Sequence, residues 1–150
     1  MRLALFQPDI PQNLGAAVRL CACLGAGLEV IEPCAFPMSD RRLKRVAMDY
    51  AAEAVLRPSW TAFLSAPERL HGRLVLFTTR AQTCYLDFAF GPADTLLFGQ
   101  ESAGAPEAVH AAAFARLLIP MRPPARSLNV VNAAAMALGE ALRQAKAASG

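Results

Sequence analysis

Three short stretches hold most of the side chains that could do chemistry: "NLGAAVR" (13–19), "LLFGQESAG" (96–104) and "RSLNVVN" (126–132). They contain glycine, asparagine, serine, glutamate and arginine, but no lysine, histidine or cysteine. The two histidines, His71 and His110, lie elsewhere, and neither adjoins a serine or cysteine nucleophile motif. No spacing of His, Cys and acid suggests a metal site. These absences argue against hydrolysis by a triad or by zinc. Group transfer from a bound, activated donor remains, because that chemistry needs chiefly positioning and an outlet for one proton.

Each stretch has its own reading. Gly99 and Gly104 flank Gln100-Glu101-Ser102-Ala103 after an apolar run and before Pro106. The spacing resembles a P-loop, yet Ala105 and Pro106 stand where Lys and Ser/Thr are required, and no G-x-G-x-x-G is present. The loop is either a strand-to-helix turn with glycines at positive φ or a backbone cradle offering the Glu101 carboxylate. Asn13 is a helix-cap candidate. Arg19 falls about one turn beyond Gly15, on the same helix face. Ser127 is expected to cap a helix beginning Leu128-Asn129, where Asn129 and Asn132 cost helix propensity. Four basic residues in five positions, Arg41, Arg42, Lys44 and Arg45, join Arg122 and Arg126 as candidates for phosphate contact.

Elements must bring these stretches together. Apolar runs at 3–7, 28–33, 53–57, 73–79, 95–99 and 115–120 alternate with helical patterns at 12–25, 40–47, 59–66, 105–113 and 128–147. The first, fourth, fifth and sixth runs are continuously apolar, as strands covered on both faces are. The alternation predicts an α/β fold with a mainly parallel sheet flanked by helices. Ligands then bind beyond the carboxyl ends of the strands, where these loops fall. In the last helix Leu128, Val131, Ala135, Leu138 and Leu142 form an apolar seam that faces either the sheet or a second subunit.

Composition bounds the rest. The 150 residues suit one domain, taken as 1–150, and 55% apolar against 18% charged residues implies a substantial core. No apolar stretch reaches the length of a membrane span. Cys21, Cys23, Cys34 and Cys84 show no framework spacing and are expected to be reduced thiols in a cytoplasmic protein. A net charge of +3 permits a nucleic-acid partner without requiring one.

Taken in order, the three motifs, together with "LKRVAMDY" (43–50) and "LFTTR" (76–80), resemble the SPOUT methyltransferases. Within them the chain is similar to the small tRNA 2′-O-methyltransferases of the TrmL type. The resemblance implies a C-terminal deep trefoil knot, a rare exception to the unknotted chain. It implies S-adenosylmethionine as cofactor, lined by Phe77, Thr78, Gly99, Glu101, Gly104, Ile119, Met121, Ser127 and Leu128. It also implies a homodimer through the first and last helices, no metal, and tRNA as substrate, methylated at the ribose 2′-hydroxyl of the wobble nucleotide in the anticodon loop. Arg19 would engage RNA phosphate or help to take the hydroxyl proton, with Asn13 in support; Glu101, Ser127 and Asn129 would order the site. Val131 departs from the pattern, standing where relatives often carry serine. Two other readings keep the same motifs: a cofactor-binding tRNA-recognition module without methyl transfer, and 2′-O-methylation of another RNA position. A plain α/β nucleotide-binding protein is a third.

Overall fold

A computed structural model describes residues 1–37 and 54–148. Seven parallel strands form one sheet: β1 (Arg2–Phe6), β2 (Gly27–Ile31), β3 (Ala54–Arg57), β4 (Leu74–Phe77), β5 (Thr83–Cys84), β6 (Thr95–Phe98) and β7 (Ala115–Leu118). Their order across the sheet is β3-β2-β1-β6-β4-β7-β5. Helices α1 (Pro11–Leu24), α2 (Trp60–Leu64), α3 (Glu107–Ala112) and α4 (Val130–Ala148) cover the two faces. Short 3-10 turns span Pro67–His71 and Tyr85–Asp87. The predicted helix at 40–47 lies outside the described residues.

The central strands are buried on both sides, which is why they read as unbroken apolar runs. On one face Leu3, Leu5, Val75, Leu96 and Phe98 pack with the inner sides of α1 and α4. On the other, Ala4, Phe6, Leu76 and Leu97 meet Phe63 of α2 and Val109 of α3. β7 departs from expectation: Leu117 is buried but Arg116 is exposed. Its outer neighbour β5 is only two residues long and covers little of it.

The sheet also holds one buried carboxylate away from its carboxyl ends. Glu29 of β2 is 1% exposed, held by Arg57 at 2.7 Å and Arg2 at 3.4 Å. Pairing offsets a desolvation that an unpartnered charge could not bear.

Two connections matter for the site. β5 pairs with the far side of β7 from β4, so residues 78–82 must cross β7 to reach it. The segment that follows is fastened to α4 by Gln144, whose side chain accepts from the Phe90 amide (2.9 Å) and donates to the Phe88 carbonyl (3.1 Å).

Helix α4 differs from the predicted seam. Its buried face is Ala134, Ala137, Leu138 and Ala141. Of the seam only Leu138 is fully buried, while Val131, Ala135 and Leu142 flank it half-buried. Leu128 precedes the helix and is 41% exposed. The alanine face lets the helix axis approach β6 and α1 closely, and a leucine seam would hold it further off.

Candidate active site

The carboxyl ends of β1, β4, β6 and β7 surround a cavity of about 410 Å³. Its floor is aromatic and aliphatic. Phe77 ends β4 and Phe98 ends β6; their rings stack with centroids 4.9 Å apart and planes at 11°. Phe90 stacks behind Phe77 at 6.5 Å, and Tyr85 meets it edge-on at 6.4 Å. Residues 119–133 close the opposite side with Ile119, Met121, Leu128, Val130 and Ala133.

The 99–104 loop forms one wall, and its shape follows from two glycines. Gln100 and Gly104 exchange backbone hydrogen bonds, each 2.9 Å, which ties the loop into a closed turn. Gly104 has φ +69°, a conformation that suits glycine, while Gly99 is required for a different reason. A Cβ on Gly99 would lie 2.4 Å from the Gly104 carbonyl carbon. One of the two readings of the loop puts its glycines at positive φ; only Gly104 adopts it.

A polar chain crosses from this wall to the other. Asp9, in the turn between β1 and α1, donates its amide to Glu101 Oε2 at 3.1 Å. Its Oδ1 accepts from the Glu101 amide at 3.1 Å, and its Oδ2 accepts from the Ser102 hydroxyl. Glu101 Oε1 accepts from Asn13 Nδ2 at 3.1 Å, and Asn13 Oδ1 accepts from Asn129 Nδ2 at 2.9 Å. Asn129 Oδ1 then accepts from the amides of Val131 (2.9 Å) and Asn132 (3.2 Å). Asn129 is therefore the N-cap of α4, correcting the assignment to Ser127. The helix starts at Val130, and only Asn129 is placed to reach the amides of its first turn. Asn13 is not a cap either. It is the third residue of α1, after the N-cap Ile10 and Pro11, and it bridges Glu101 to Asn129.

These contacts set the charge states. Glu101 is pushed above the usual carboxylate range by burial first, then by Asp9 beside it. Asp9 is pulled down to about 2 by its contact with Glu101 and by the Ser102 hydroxyl and the loop amides. Nearby, burial pushes the Cys34 thiol up to about 11, with Glu32 and Glu101 adding to it, so this sulfur is no nucleophile at neutral pH.

The structure gathers Asn13, Phe77, Thr78, Gly99, Glu101, Gly104, Ile119, Met121, Arg126, Ser127, Leu128 and Asn129 around the one cavity. Arg19 and Arg122 do not line it. Arg19 lies six residues beyond Asn13 on α1, about 9 Å along the axis and roughly 120° away in direction. Its side chain is exposed, as is that of Arg122 in the loop after β7. Arg41, Arg42, Lys44 and Arg45 lie outside the described residues. Sequence reasoning overlooks Asp9, because a lone aspartate in a turn carries no motif. Its one legible sign is its place two residues after the first apolar run.

The sequence pattern of the SpoU rRNA Methylase family matches residues 1–139. The chain belongs to that family. A tRNA (cytidine(34)-2'-O)-methyltransferase of Beijerinckia indica is 58% identical over 144 residues, covering 95% of this chain and 90% of its own. A solved structure concerned with the 2-OH methylation of C/U34 on tRNA superposes with a TM-score of 0.89 at 41% identity, covering 97% of this chain and 96% of that one. The SpoU methyltransferase AviRb from Streptomyces viridochromogenes, solved with AdoMet, gives 0.85 at 29% identity, over 98% of this chain and 61% of that one.

The cavity suits the cofactor that SpoU methylases such as AviRb bind. Its volume falls within the range of small-molecule sites, and its walls are apolar side chains and backbone with a few polar groups. Among the described residues no lysine lines it, and Arg126 is its one basic side chain. Among the described residues no group of three His, Cys, Asp or Glu could hold a metal, and no helix is long and apolar enough to cross a membrane.

Proposed function

We infer that this protein is an S-adenosylmethionine-dependent methyltransferase acting on the ribose 2′-hydroxyl of nucleotide 34, cytidine or uridine, in the anticodon loop of tRNA. The observation that carries this reading is the convergence of all three motifs on one cavity. It is supported by a 58% identical relative that bears the name of this activity along nearly its whole length.

Bound in the cavity, S-adenosylmethionine supplies an electrophilic methyl group on sulfur. Transfer to the ribose 2′-oxygen would leave S-adenosylhomocysteine, and the hydroxyl proton would pass to water or to an RNA phosphate. The chain's part is to hold and orient. Phe77, Phe98, Ile119 and Leu128 provide the apolar surface, while Gly99 to Gly104 and Met121 provide backbone. Glu101 accepts a donor at each oxygen, so its role is to order the site. Arg126 at the rim, with Arg19 and Arg122 outside it, meets RNA phosphate. Arginine stays protonated at any working pH, which argues against Arg19 as the proton acceptor.

The same reading extends to the chain as a whole. Residues 1–150 act as one catalytic domain whose C-terminal part is threaded as a trefoil knot. The active form is a homodimer in the cytoplasm. The exposed apolar side chains Leu24 of α1 and Met136 of α4 support pairing through the first and last helices.

The decisive assay incubates the protein with methyl-labelled cofactor and tRNA from cells lacking this activity, then maps the label. Label on the 2′-oxygen of nucleotide 34 is expected. Absence of transfer to any RNA by protein that binds the cofactor would leave only a tRNA-recognition module. Sedimentation at micromolar concentration should give a dimer; a monomer that retains full activity would remove the dimer from the reading.

A further inference from the structure

The polar chain across the cavity has a direction, and the direction starts at Asp9. Glu101 Oε1 accepts from the Asn13 side chain, and only the amino end of that amide can donate. That leaves the Asn13 carbonyl oxygen to face Asn129 Nδ2. The Asn129 oxygen is in turn left for the free amides that open α4. Rotating any one amide would set donor against donor or acceptor against acceptor at two contacts. The loop wall and the helix wall are therefore held in one register, fixed by where Glu101 points.

Asp9 fixes where Glu101 points. Its amide holds one oxygen of that carboxylate, and its own carboxylate takes the Glu101 amide and the Ser102 hydroxyl. Asp9 and Glu101 are 92 positions apart in sequence, and each holds the other's amide with its carboxylate. A neutral side chain could tie the loop without bringing a second negative charge beside Glu101. The carboxylate does more: it offers two acceptors at a fixed angle, one for each of two successive residues of the loop.

We propose that Asp9 is a positioning residue for methyl transfer: it seats the 99–104 loop and, through Glu101, sets the direction of the Asn13–Asn129 pair, so that both walls of the cofactor cavity are registered together. The proposal rests on the function inferred above and adds a residue that does not itself line the cavity.

The test compares wild type with Asp9→Ala, Asp9→Asn, Asn129→Ala and the Asp9→Ala/Asn129→Ala double variant. Two readouts are needed: S-adenosylhomocysteine affinity by calorimetry, and methyl-transfer kinetics on tRNA. Asp9→Ala should weaken S-adenosylhomocysteine about tenfold, the scale set by removing bonds to a charged group. It should also lower kcat at saturating cofactor while the KM for tRNA stays within about twofold. Asp9→Asn keeps an acceptor for the Glu101 amide and lets the Ser102 hydroxyl accept instead of donate, so it should recover most of both. Hydrogen bonds link Asp9 to Asn129 through Glu101 and Asn13. If they act through one chain, the double variant should lose little more affinity than the worse single variant, and fold-losses that multiply would overturn the chain. A folded Asp9→Ala protein with wild-type affinity and kcat would overturn the role of Asp9 outright. Should Asp9→Ala fail to fold, Ser102→Ala removes one exposed bond to Asp9 and should weaken S-adenosylhomocysteine about threefold; unchanged affinity there refutes the proposal. A wild type that neither binds S-adenosylhomocysteine nor methylates tRNA would refute the functional reading itself, and the proposal with it.

Discussion

A methyl group on Gly99 would sit 2.4 Å from the Gly104 carbonyl carbon and 2.6 Å from the Ala105 nitrogen, both backbone atoms that cannot swing aside. Gly99→Ala must therefore open the turn at one wall of the cavity. Overpacking of this kind costs about 1–3 kcal/mol, and calorimetry should find cofactor affinity down roughly ten- to a hundredfold. Asn129 separates stability from binding. Asn129→Asp keeps an acceptor for the Val131 and Asn132 amides at a helix N-terminus that favours negative charge. Its Tm should stay near wild type, whereas Asn129→Ala should lose about 0.5–2 kcal/mol with the cap. Both should bind S-adenosylhomocysteine weakly, because neither donates to Asn13. At this scale the sequence reveals residue types better than roles. Asn13, Glu101 and Asn129 stand out as polar residues in apolar company, and they meet at one cavity. That Asp9 grips the loop depends on a contact across 92 positions, which local spacing does not encode, and that Asn129 rather than Ser127 caps α4 turns on a helix start at Val130, later than the sequence suggests.

Among the elements, α4 does more than cover the sheet. Gln144 satisfies one amide and one carbonyl of the Phe88–Phe90 segment, which carries Phe90 onto Phe77 under the cavity floor. Gln144→Ala should destabilise the fold by about 1–3 kcal/mol, through backbone groups left unpaired, and chemical denaturation measures it. Gln144 also donates to Glu140 at 2.7 Å, and Arg143 pairs with the same carboxylate. Arg143 first and Gln144 second hold Glu140 down to about 2, below its ordinary value of 4.5. A depressed carboxyl stabilises the fold above its unfolded pKa and loses that contribution as pH falls through the folded one. The Tm difference between wild type and Glu140→Gln should therefore be constant above about pH 4.5 and vanish towards pH 2. Strands and helices are largely legible because apolar runs and helical patterns alternate cleanly, but the burial of α4 is not. Its buried face is mostly alanine, and an alanine-rich chain gives periodicity little contrast with which to mark one side.

For the whole molecule, the proposed meeting with RNA rests on charge at the rim. Arg122 and Arg126 lie exposed on the loop between β7 and α4, and Arg126 also reaches the cavity. Replacing both with alanine should weaken tRNA binding and flatten the plot of log affinity against log salt by about 1.4, near 0.7 for each single-strand phosphate that no longer meets an arginine. Filter binding across a salt series measures this, and an unchanged slope would take both residues out of the RNA interface. The order of parts along the chain has another consequence. The cavity draws its walls from residues 10–13, 77–79, 98–105 and 119–133. During synthesis the first three groups emerge before the last, and a domain folds as a unit. A released fragment ending just before residue 119 would contain the seven described strands but lack one side of the binding site. Affinity for the methyl donor is thus a property that only a nearly finished polypeptide can acquire, so a fragment cut short before residue 119 cannot sequester the donor.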